Sequence, residues 1–176
     1  MSPATARRPR ASSSARELAS YLVALRPILA GATDARRVWV KRIGVLLEDA
    51  RRDDPARVAS VASQMGRDTL TTFRNSRLKI ERLRPPRGCA ECHHALVQWL
   101  EKLIAACEVL VAVGRSGQLR GIHEAQGLLA DSRFHAHRFN AEYARLVGEL
   151  RQRVAAAGSR TRSQGRLGRA AERSMA

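Results

Sequence analysis

A chain of 176 residues with 44% apolar content can bury the core of one domain, and its 4% aromatic content leaves that core to Leu, Val, Ile and Ala, which suits helices better than sheets. The formal charge is +16, but Arg7, Arg8, Arg10 and Arg16 put +4 on residues 1–16, five Arg against Glu172 put +4 on residues 158–176, and +8 remains for residues 17–157. Met1 to Glu17 shows no apolar stretch of a secretion signal and no run approaches a membrane span, so neither is expected and a cytoplasmic, reducing setting is the default expectation.

Residues 1–13 are rich in Pro, Arg, Ser and Ala without periodicity and are expected to be disordered. Ser14-Ala15-Arg16-Glu17 has the S-x-x-E form of a capping box. Leu18, Leu22, Leu25 and Leu29 follow at helical spacing, with Pro27 expected to kink or end this short first helix and Gly31 to stop it. Thr33 or Asp34 then caps a second helix with the stripe Trp39, Ile43, Leu46, Leu47 and Ala50. Asp53-Asp54-Pro55 ends that helix and starts the next, since Asp serves as N-cap and Pro fits the first helical position.

A long helix follows, lined by Val58, Val61, Ala62, Met65, Thr69, Thr72, Phe73, Ile80 and Leu83. Arg82 and Arg84 suit its negative end, and Pro85-Pro86 stops it. The next helix begins near Gly88, with Cys92, Leu96, Leu100, Leu103, Cys107 and Leu110 in its stripe and Trp99 on the flank. Gly114 to Gly117 reads as a turn. The last helix places Ile122, Leu129, Ala136, Tyr143, Leu150 and Val154 inward and Asn140 near the inner face, with Gly158 as its stop. The tail 158–176 has no stripe and is expected to be disordered. Short loops favour antiparallel neighbours. The expected fold is therefore all-α: an up-and-down antiparallel bundle over 14–157, of four main helices plus a short Pro-kinked N-terminal helix, with basic disordered ends.

One cluster stands out chemically. Gly88-Cys89-Ala90-Glu91-Cys92-His93-His94 carries C-x-x-C-H at a helix start, and Cys89, Cys92 and His93 share one helix face. Three soft or borderline donors on one face suit zinc or iron. Cys107 cannot join them, because ~1.5 Å per residue sets it ~20 Å from Cys92. If the turn centres between Arg115 and Ser116, antiparallel packing sets residues level when their numbers sum to about 231. Cys89 then lies near Glu142, His94 near His137 and Leu96 near His135. Either His135 or His137 would complete a site, which gives Cys89, Cys92, His93 and His137 as the candidate metal ligands.

C-x-x-C-H also has the form of a c-type haem attachment motif. The missing export signal, the more than 80 residues that follow, and a methionine supply limited to Met1, Met65 and Met175 argue against haem. A thiol-redox pair is a further reading, opposed by Glu91 between the cysteines and by the absence of a βαβ setting. The plainest expectation is that Cys92 and Cys107 are core residues, since cysteine packs as a small hydrophobe.

Glu91-x-x-His94 lacks the second E-x-x-H of a di-iron bundle. Arg77, Lys79, Arg82, Arg84 and Arg87 form a basic run that suits phosphate, or simply a solvated helix end. Motifs for nucleophilic catalysis and phosphate-loop binding are absent. The sequence thus points to a non-enzymatic bundle without a cofactor that binds another protein or itself. A metal-binding or redox-responsive bundle and weak nonspecific nucleic-acid association are the alternatives.

Overall fold

The computed structural model describes residues 14–52 and 54–173, with side chains described as far as Gly158. The chain forms four helices: α1 (Ala15–Asp49), α2 (Pro55–Glu81), α3 (Ala90–Ser116) and α4 (Arg120–Arg173). No strand occurs among the described residues. Consecutive helices pack against each other, and the most extensive seams are α2 with α3 and α3 with α4. No helix among the described residues is long and apolar enough to cross a membrane.

The helix starts follow local chemistry. Ser14 caps α1 in a full capping box, its hydroxyl accepting from the Glu17 backbone N–H while the Glu17 carboxylate accepts from the Ser14 N–H. Asp54 accepts from the Arg57 N–H at the head of α2, with Pro55 in the first turn. Gly117 closes α3 in the left-handed region, at φ 68°, and donates to the Val113 carbonyl.

Several sequence expectations change. The short first helix and the second helix are one: α1 runs unbroken through Pro27, Gly31 and Asp34. Leu18, Leu22, Leu25, Ala32, Trp39, Ile43 and Leu46 are all buried at steps of three, four or seven residues, so a single apolar stripe crosses the proline. Pro27 removes one backbone donor on the solvent side, and the stripe holds the helix on either side of it. Val61 and Val154, read as inward, are exposed, and Asn140 faces solvent rather than the core. Trp99, read as a flank, is buried.

Helix α4 continues past Gly158, the expected stop, to Arg173. A glycine costs about 1 kcal/mol in a helix interior and does not forbid one. Of the segments expected to be disordered, 1–13 lies outside the described residues, while the backbone of the tail is described to Arg173 as part of α4.

The core is aliphatic, with Trp39 and Phe73 meeting edge to face at 6.0 Å between α1 and α2. The α2–α3 seam is built on small residues. A methyl at Gly114 would stand 2.2 Å from the Ser63 Cβ, and one at Gly66 would stand 2.7 Å from the Cys107 carbonyl oxygen. The two backbones approach closely there, and the bundle is tightest where it is least aromatic.

Candidate functional site

The hairpin register expected from the sequence is realised. Arg138 pairs with Glu91, Arg145 donates to the Gly88 carbonyl at 3.0 Å, and Lys102 lies 3.6 Å from Asp131. These pairs fix how far along α4 each α3 residue falls.

At the start of α3, Cys89 and Cys92 are buried free thiols. Their surroundings are assembled from three helices. Tyr21 of α1 feels both thiols, Glu142 and Arg145 of α4 act on Cys92, and Arg145, Glu149 and Arg153 act on Cys89. Burial pushes the Cys92 thiol up to about 12, with Cys89 and Glu142 adding to the rise and Arg145 opposing it. Burial also raises Cys89. Cys107, in the α2–α3 core, is pushed up to about 12 by burial and then by Glu108. The thiolate is the nucleophile and the metal ligand, so this setting favours the inert, protonated form.

His93 turns towards α1, its Nδ1 3.2 Å from the Tyr21 hydroxyl. Burial lowers its pKa, with His94 in the same direction and Glu81 against it. Burial raises the phenol of Tyr21. The pair is therefore a neutral hydrogen bond between α1 and α3. Among the described residues, no three His, Cys, Asp or Glu side chains converge in a way suited to a metal ion.

The structure thus brings Cys89, Cys92 and His93 to one end of the bundle and sends His137 elsewhere. His137 lines a groove between α1 and α4. Register sets height along the helix, while each residue also turns the helix by about 100°. His135, the other candidate, is partly buried, and its Nδ1 finds no partner among the described residues.

His137 opens into a groove between α1 and α4, the thinnest of the seams between neighbouring helices. This cavity holds about 380 Å³. Arg36 of α1 and Arg133 of α4 line it, with Trp99 of α3 at its base and Leu29, Ala136 and Phe139 as its apolar wall. Thr33 and Asn140 add polar groups at the edge. The Arg36 Nε and the Trp99 indole N–H are buried without an acceptor among the described residues. Burial, then the charge of Arg133, lowers the Arg36 pKa.

Arg36 carried a legible signal. Stepping back three places from Trp39 along the α1 stripe reaches an arginine where an apolar residue is due. Arg133 and Trp99 had none, because their meeting depends on three helices.

A second concavity lies on the other side of α1, between it and α2. Leu46 and Met65 form its floor, Val45 and Val61 its exposed flanks, and Lys41, Arg42 and Asp49 its rim, around about 230 Å³. Comparison with protein-family models, curated proteins and solved structures finds no match to this chain.

Proposed function

We propose that this protein is a non-enzymatic, cytoplasmic interaction module that binds another protein through the outer face of α1 and α2. The observation that carries this reading is an apolar strip on solvent-facing helix surface. Val38 and Val45 sit one heptad apart on α1 at 59% and 62% exposure, and Val61 of α2 stands beside Val45 at 44%. The concavity between Val45 and Val61 gives a partner helix a place to seat an apolar side chain.

Charge selects the partner. Lys41, Arg42 and Asp49 rim the strip, Arg42 lies 3.5 Å from Asp68, and the chain as a whole carries +16. A second copy would bring the same net positive charge against it, so the occupant is a helix of an acidic protein rather than another copy of this chain. The buried, protonated thiols of α3 support a non-catalytic reading over a metal or redox one.

The test is affinity capture with the full chain, identification of an acidic partner, and reconstitution of the pair from purified components. Val45→Glu and Val61→Glu should each weaken the reconstituted complex at least about tenfold without lowering the melting temperature, since both side chains are already in solvent. A partner retained equally by both variants would overturn the reading, as would a strictly monomeric protein that captures none.

A further inference from the structure

The groove between α1 and α4 has features that the fold does not require. A bundle seam is ordinarily closed by apolar side chains, with long charged ones at the edges reaching water or opposite charges. Here two guanidinium groups stand in one concavity. Neither Arg36 nor Arg133 meets a carboxylate among the described residues. The nearest acids in sequence are engaged elsewhere, Asp34 with Arg37 at 3.2 Å and Asp131 with Lys102 at 3.6 Å.

Donors are in excess. The Arg36 Nε and the Trp99 indole N–H are both buried and meet no acceptor among the described residues, and Trp99 is only 6% exposed. Buried donors are ordinarily paired, because an unmet one costs free energy. Arg36 also carries an electrostatic burden from the like charge of Arg133, on top of its partial burial. Opposite these donors lies an apolar wall that includes Leu29 and Phe139.

We infer that the α1–α4 groove is a binding site for a small organic anion, with a carboxylate or phosphate head held by Arg36 and Arg133 and an apolar body laid against Trp99 and Phe139. A planar guanidinium gives paired, charge-assisted hydrogen bonds to either head group. The indole N–H supplies a further donor, and Asn140 and His137 stand at the polar edge. A cavity of about 380 Å³ lies within the range of small-molecule sites. The site is separate from the α1–α2 strip, so either can fail without the other.

Two tryptophans make the test direct. Trp39 packs in the α1–α2 core against Phe73 and does not line the groove, so its indole signal is an internal control. In proton–nitrogen spectra of the full chain, Trp39→Phe assigns the two indole signals. Octanoate and phenyl phosphate are the anionic probes, and 1-octanol and phenol their neutral matches. Octanoate or phenyl phosphate should move the Trp99 signal in a saturable way and leave the Trp39 signal in place, with whichever binds identifying the head group. Arg36→Gln and Arg133→Gln should each weaken that binding at least about tenfold, the loss expected for one charge-assisted contact. Both variants should melt at or above the temperature of the unaltered protein, because a like-charge pair has been relieved. The inference is overturned if neither anion moves the Trp99 signal, if the neutral matches bind as tightly, or if a folded glutamine variant keeps full affinity.

Discussion

Gly66 and Gly114 show how much single residues decide here. Both sit where α2 and α3 meet almost backbone to backbone, while Gly127 on α4 has open space around it. Gly114→Ala would drive a methyl into Ser63 and should destabilise the protein by about 1–3 kcal/mol, the usual range for overpacking. Gly127→Ala should stabilise it by roughly 0.5–1 kcal/mol, because alanine loses less backbone entropy in a helix. Urea unfolding of both variants checks the pair, and equal effects would show that the close approach is absent. The sequence reads Gly114 as the start of a turn, and nothing local to it reveals the close approach of α2. Only the partner helix distinguishes a glycine that makes room from one that merely sits in a helix. The same holds for the cysteines: the spacing of Cys89 and Cys92 is visible in the chain, while the burial that keeps them protonated comes from Tyr21 and from α4.

At the scale of elements, the starts of α1 and α2 are written locally. Ser14 with Glu17, and Asp54 with Pro55, bond within a few residues, so their chemistry is complete before any tertiary contact forms. The middle of α1 is different. Pro27, Gly31 and Asp34 all argue locally for a break, and the helix overrides them because one stripe from Leu18 to Leu46 is buried along its whole length. Pro27 still leaves the Val23 carbonyl without its usual helical donor. Pro27→Ala should restore that hydrogen bond and raise stability by about 1–3 kcal/mol in chemical denaturation. A lower midpoint for the variant would mean that the proline sets a bend the bundle needs. The α3–α4 pairing was also legible, since a short turn fixes the register of an antiparallel hairpin and Glu91 with Arg138 falls close to the expected level.

Across the whole molecule, burial of ionisable groups sets a limit at high pH. Cys92 and Cys107 are neutral when protonated, and each has a folded pKa of about 12 against an ordinary value of 9.0. Their contribution to stability is complete below about pH 9 and is lost as pH rises through about 12. The raised phenol of Tyr21 acts with the same sign. The urea midpoint should therefore hold level from neutral pH to about 9 and fall beyond it, more gently in a Cys92→Ala, Cys107→Ala variant. A midpoint that rises above pH 9, or a slope unchanged by the double substitution, would contradict the burial of these thiols.

The sequence by itself determined an all-α chain, two of the helix starts, the hairpin register and most of the apolar stripes. Those follow from interactions spanning a few residues or from a regular period. The tertiary structure decided that α1 is one helix, that His137 lines the α1–α4 groove, and that Arg36, Arg133 and Trp99 share that groove. Each of these depends on the angle at which one helix presents its face to another, and that angle is set by packing across the bundle.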